Sequence, residues 1–169
     1  MFDRIWAPWR SEYIMDTCKE EGCIFCNRIA RNNDREDFIL YRNEKGLIIM
    51  NIYPYSNGHL MIAPLKHISD IALLSDDENL SLISLIKLSQ AALLRAMKPD
   101  GFNIGLNIGK AAGAGVEEHV HWHIVPRWFG DSNFMHSVSN CRIIPQSLEE
   151  TYLLIQNELM NIIPEKNAR

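Results

Sequence analysis

The segment His119-Val-His121-Trp-His123-Ile-Val125 sets three imidazoles two residues apart. A strand repeats every two residues, so in an extended chain all three rings face one side, and Val120, Trp122 and Ile124 face the core. Alternate side chains on a strand stand about 6 to 7 Å apart, so the rings line a path about as long as a polyphosphate. Two chemistries suit such a row. A neutral imidazole with one nitrogen fixed by a hydrogen bond keeps a lone pair on the other and can attack phosphorus. The same lone pairs can hold zinc, and spacing alone leaves both open. Just upstream, Gly109-Lys-Ala-Ala-Gly-Ala-Gly115 is a loop whose bare amides can approach phosphate oxygens. Either feature alone is weak; the pairing favours phosphate chemistry.

These residues need a frame, and the sequence supplies one. Phe38 to Tyr41 and Leu47 to Ile52 read as a hairpin around Asn43-Glu-Lys-Gly46, whose glycine permits a positive-φ turn. A third strand runs from His59 to Ala63. Ser75 and Glu78 form a capping box ahead of an apolar helical repeat reaching Met97, stopped by Pro99-Asp-Gly101. Phe102 to Ile108, His119 to Val125 and Cys141 to Ile144 are strand-like, and Ser147 with Glu150 caps a last helix to about Ile163. Hairpins with one long helix inserted predict an α+β domain with a mostly antiparallel sheet of about five strands. Residues 1–22 read as an aromatic N-terminal arm, 23–145 as the domain core, and 146–169 as a C-terminal helix and tail packed on it.

The 169 residues suit one domain, and 47% apolar with 22% charged residues suits a globular core. A net charge of -4 without a long basic patch argues against extended nucleic-acid binding. Met1-Phe-Asp-Arg-Ile-Trp lacks a secretory pattern and no run approaches a membrane span, so a cytoplasmic protein is expected. Of four cysteines, Cys23 and Cys26 form a CxxC unit while Cys18 and Cys141 are scattered, a pattern of ligands or buried thiols rather than bridges.

The row His119-Val-His-Trp-His-Ile-Val125 resembles the signature of the histidine-triad (HIT) superfamily, and further pieces match in family order: Cys23-Ile-Phe-Cys26, Asn51, Gly58-His59, Pro64-Leu-Lys-His67 and Asn107. The opening Trp6 to Ile14 and the tail Val125 to Phe134 resemble a bacterial and archaeal branch related to diadenosine tetraphosphate phosphorylase. The resemblance implies a HIT-like fold and a nucleotidyl-histidine intermediate on His121, with His123 contacting phosphate and His59 a buried partner beside the triad. It implies that Ile24 and Phe25 line a base pocket, that Asn51 meets the ribose, and that Asn107, Gly113, Gly115 and Val116 hold phosphates. Cys23, Cys26, His67 and His119 would form a structural zinc site, the alternative being two ordinary thiols. A homodimer is implied as well.

The loop departs from the commonest family form, for Gly113-Ala-Gly-Val-Glu-Glu118 lacks the glutamine and hydroxyl that precede the first histidine elsewhere. That shifts the expectation from phosphoramidate hydrolysis toward cleavage of dinucleoside polyphosphates. Phosphoramidate hydrolysis remains the alternative enzyme reading, and a zinc-stabilised nucleotide-binding module with little catalysis the alternative of another class. Lys110 and Arg127 could neutralise distal phosphates or be solvated charges. Glu117 and Glu118 read as loop charges.

Overall fold

The computed structural model of the chain describes residues 21–131 and 146–167, without the side chains of 164–167. Helix α1 (Ile24–Arg31) starts inside the CxxC unit and ends at Asn32 in the left-handed region. The hairpin follows as β1 (Ile39–Arg42) and β2 (Gly46–Met50), then β3 (Leu60–Pro64), the long helix α2 (Asp76–Met97), β4 (Gly101–Leu106), β5 (Trp122–Arg127) and α3 (Leu148–Asn167). The five strands form one antiparallel sheet in the order β1-β2-β3-β5-β4. The α+β architecture is the expected one. The strand anticipated at 141–144 and residues 1–20 of the expected N-terminal arm lie outside the described residues.

Every residue of β2 and β3 is buried. Such continuous burial requires cover on both faces of the sheet, which is why these strands read as unbroken apolar runs. On one face Ile48, Met50, Leu60, Ile62 and Ile124 pack beneath α2 and α3, including Leu82, Leu85 and Tyr152. On the other, Leu47, Ile49, Met61 and Ala63 meet Phe25 of α1.

Three sequence expectations change in detail. The hairpin turn is closed by Asn43, whose Oδ1 accepts from the amides of Lys45 and Gly46 at 2.9 and 2.8 Å, and Gly46 is not among the positive-φ glycines. Its missing Cβ matters for space instead: a Cβ there would lie 2.6 Å from Leu82 Cδ2 and 2.9 Å from the Ala63 carbonyl oxygen. The paired part of the histidine strand begins at Trp122, because its partners on β3 and β4 start there, opposite Ile62 and Leu106; His119 and His121 lie in the entry segment. Finally, α2 is long and apolar enough by length and composition to cross a membrane, although no such run was expected. It also carries Asp76, Asp77, Glu78, Lys87 and Arg95, and it buries Leu82, Leu85, Ile86, Leu88, Ala92 and Leu93 as a core helix does. Its expected capping box is formed: Glu78 donates its amide to Ser75 Oγ, and the Ser75 amide donates to Glu78 Oε2.

Candidate active site and metal cluster

The triad lies on the sheet face opposite α2. Val120 and Ile124 are buried and Trp122 packs against the main core; strand alternation sets His123 alone, while His119 and His121 precede the paired strand. His119 is fully buried and His121 nearly so. Phe25 wedges against both, with ring centroids 5.0 Å from His119 and 4.9 Å from His121. His123 follows with its ring 4.9 Å from that of His121. Its cross-strand neighbour on β4 is Gly105, where an added Cβ would meet nothing within 4 Å, so the β4 side of His123 is open.

The hydrogen bonds fix which nitrogen of each ring carries a proton. His121 Nδ1 is 2.9 Å from the His119 carbonyl oxygen, which only accepts, so Nδ1 is the N–H and Nε2 keeps its lone pair. His59 Nδ1 accepts the Tyr55 amide at 3.1 Å, so its Nε2 donates to His123 Nδ1 at 3.0 Å. His123 therefore carries its own proton on Nε2. His119 donates from Nε2 to the Pro64 carbonyl at 2.9 Å, which frees Nδ1.

Burial holds these rings neutral. His59 is pushed down to about 3 by burial and then by charge on His123 and His121, and His123 to about 4 by burial and then by His121. His121 and His119 are also lowered by burial, opposed in each case by the hydrogen bond to a carbonyl. At neutral pH the site offers one lone pair on His121 Nε2 and one N–H on His123 Nε2, the two groups needed to attack a phosphorus and to stabilise its oxygen.

The other candidates surround this pair unevenly. Asn51 is half-buried, with Nδ2 3.3 Å from His59 Nδ1 and Oδ1 accepting the Tyr53 amide. Ile24 and Val116 pack at the margin of the Phe25 cluster, so the end of the glycine loop docks beside α1. Gly113 closes a short 3-10 turn at Lys110–Ala112 with φ 85°, and Gly109 opens it with φ 78°. An added Cβ at Gly113 or Gly115 would meet nothing within 4 Å, and Asn107 is half-buried just past β4. Arg127 does not join them. Its guanidinium donates to Asp131 at 2.5 and 3.1 Å and to Asn103 at 2.7 Å, and it lies four residues beyond His123, about 13 Å along the strand. Tyr55 was missed by sequence reasoning: its ring stacks 4.7 Å from His59 and 5.9 Å from His123. The Pro54-Tyr-Ser-Asn-Gly58 stretch signalled only a turn.

Cys23, Cys26, His67 and His119 come together as expected, with all ligand atoms within 4.8 Å of one another. Cys23 Sγ is 3.3 Å from His119 Nδ1, and Cys26 Sγ lies 3.3 Å from His67 Nδ1 and 3.6 Å from His119 Nδ1. A tetrahedral ion with thiolate and imidazole ligands needs sulfur-to-nitrogen edges of about 3.6 Å. The donor set fits a metal ion, and the Pro64 carbonyl holds His119 in the tautomer that turns Nδ1 toward it. His67 has a further neighbour, Glu118 Oε2, 3.9 Å from its Nε2.

Comparison with known proteins agrees with this geometry. The HIT domain profile matches residues 32–130. The chain is 33% identical over 162 residues to the AP-4-A phosphorylase of Mycobacterium tuberculosis, covering 92% of this chain and 83% of that one. Among solved structures, a hypothetical histidine triad nucleotide-binding protein of Sulfolobus tokodaii superposes with TM-score 0.69 at 30% identity, covering 83% of this chain and 93% of its own. A Zn-bound histidine triad family protein of Mycobacterium smegmatis superposes with TM-score 0.70 at 27% identity, covering 85% and 97%. With its profile, its relatives and its row of three histidines in agreement, the chain belongs to the HIT family.

Proposed function

We propose that this protein is a nucleotidyltransferase or hydrolase that cleaves the phosphoanhydride chain of dinucleoside polyphosphates such as diadenosine tetraphosphate, through a nucleotidyl intermediate on His121. The observation that carries the reading is the hydrogen bond from His121 Nδ1 to the His119 carbonyl, which leaves Nε2 as the nucleophile. The likeness to an AP-4-A phosphorylase supports the substrate class. In the first step Nε2 bonds to the α-phosphorus and the bond to the leaving polyphosphate oxygen breaks. The positive charge gained by the ring is balanced by the His119 carbonyl on Nδ1–H, and His123 Nε2–H stabilises the growing charge on oxygen. In the second step water or inorganic phosphate attacks the same phosphorus, the P–N bond breaks, and AMP or ADP leaves.

A polyphosphate departs as an anion of weak basicity and needs less help from an acid than an amine does. The absence of a hydroxyl residue between Gly113 and Glu118 therefore favours polyphosphates over phosphoramidates. Ile24 and Phe25 form the base pocket in this reading and Asn51 meets the ribose, while the amides around Asn107, Gly113, Gly115 and Val116 bind phosphates. The metal of the Cys2His2 cluster is zinc with a structural role, since four protein ligands leave no position for water. The protein acts as a homodimer in the cytoplasm, where Cys23 and Cys26 stay reduced.

The test is product analysis after mixing the protein with diadenosine tetraphosphate, with and without phosphate. ADP formed only with phosphate identifies a phosphorylase, and AMP with ATP in its absence a hydrolase. His121→Asn is expected to lower turnover by at least about 1,000-fold. Wild-type protein inactive on this substrate, or an active variant, would reject the reading.

A further inference from the structure

Arg28 is placed where no ordinary surface arginine would be. Its side chain is 12% exposed, and burial lowers its pKa. Among the described residues its only carboxylate neighbour is Asp37, with Nε 4.0 Å from Oδ1, too far for a hydrogen bond, and Asp37 Oδ1 is shared with Arg31 NH1 at 3.7 Å. Asp37 itself is buried, with Oδ2 unpartnered. Arg28 thus bears the cost of desolvation beside a carboxylate too far away to take a hydrogen bond from its Nε.

Its location says what the fork faces. Arg28 follows Ile24 by four residues on α1, so the two share a helix face. Across the sheet, the Met50 amide donates to the Phe38 carbonyl at 3.0 Å, which sets Asp37 opposite Asn51 at the end of the β1–β2 pair. Tyr53, two residues past Asn51, is the other group whose charge acts on the guanidinium. The guanidinium therefore lies between the α1 face carrying Ile24 and the chain around Asn51, at the base end of the nucleotide site.

We propose that Arg28 is a specificity-determining residue that reads the acceptor edge of the base and makes the site prefer guanine over adenine nucleotides. This deepens the function proposed above and rests on its assignment of Ile24, Phe25 and Asn51 to the base and ribose. Guanine presents two adjacent acceptors, N7 and O6, that match the guanidinium fork. Adenine replaces O6 with an amino group, which sets donor against donor.

Binding of GMP and AMP, measured by calorimetry on wild type, Arg28→Met and Arg28→Lys, separates this proposal from the catalytic one. Wild type is expected to bind GMP about ten-fold more tightly than AMP. Arg28→Met keeps an apolar stem against the helix and should bring the two affinities together mainly by weakening GMP. Arg28→Lys keeps the charge without the fork and should lose most of the preference too. A wild type that favours AMP or binds neither nucleotide, variants with an unchanged ratio, or a lysine variant with full preference would each overturn the proposal. Turnover of diadenosine tetraphosphate, followed in parallel, reports on His121 independently of that ratio.

Discussion

At the scale of single residues, the site is a set of proton positions imposed by fixed backbone groups. The Tyr55 amide decides the tautomer of His59, and His59 decides that of His123, so one loop amide determines that His123 keeps an N–H on Nε2. Such a chain works only while its members are neutral, and burial keeps His59 and His123 neutral far below pH 6. The same burial has a thermodynamic consequence. Unfolding returns His59 to a pKa near 6.5, so between that value and about 3 the unfolded chain binds a proton that the folded one excludes. Stability is therefore full above that window and falls as the pH drops through it. Urea unfolding of wild type and His59→Gln should show the wild type losing stability more steeply between pH 6 and 4, by up to about 1.4 kcal/mol per pH unit. Parallel slopes would mean that His59 is not held neutral by the fold. The three triad positions were legible because a strand's period admits only one arrangement of His-x-His-x-His. Tyr55 was not, because a turn sequence says nothing about where the turn's side chains return.

At the scale of elements, the Cys2His2 cluster, which could hold a metal ion, brings together pieces far apart in sequence. Cys23 caps α1, Cys26 lies within it, His67 follows β3 and His119 enters β5. Helix α1 has eight residues, too few to hold without tertiary contacts, and Phe25, Ile29, the hydrogen bonds from Arg42 to its last carbonyls and this cluster attach it. Cys26→Ser is expected to abolish stoichiometric metal, measured by elemental analysis, and to lower the melting temperature by several degrees. Turnover should fall as well, because Phe25 packs on His121 from this helix. Unchanged metal content would exclude Cys26 as a ligand. The ligand set followed from family order in the sequence, whereas the reason for Gly46 did not. A turn glycine usually signals positive φ, but here it signals that Leu82 of α2 crosses the hairpin at the one point where a Cβ has no room. Contacts between elements far apart in sequence leave no local pattern. Another example is the bond from Thr151 Oγ1 of α3 to Asn57 Oδ1, 3.0 Å away in the loop that leads to His59.

At the scale of the whole molecule, the described residues expose apolar side chains on β4 and on α2. Strand β4 is an edge, with Ile104 40% exposed at its middle, and α2 shows Leu80, Ile83 and Leu94 on its outer side. The apolar length of α2 that makes it resemble a membrane span comes partly from these outer residues, since a core helix in a monomer would carry polar groups there. A strand that ends the sheet among the described residues and has an apolar centre invites pairing with another strand, and natural proteins protect such edges unless they use them. Pairing of β4 with its copy would satisfy both features in a symmetric dimer and continue one sheet into the next. Sedimentation should then give twice the 19.5 kDa chain mass for wild type and the single mass for Ile104→Asp. The substitution sets a carboxylate against its own symmetry mate at the centre of the joint, while in the monomer the side chain stays in water and the fold keeps its melting profile. A wild type that sediments as a monomer at micromolar concentration would leave the exposed leucines of α2 without a partner in this chain. A dimer undisturbed by Ile104→Asp would move the interface from the β4 edge to α2, and Leu94→Asp would then be the substitution that splits it.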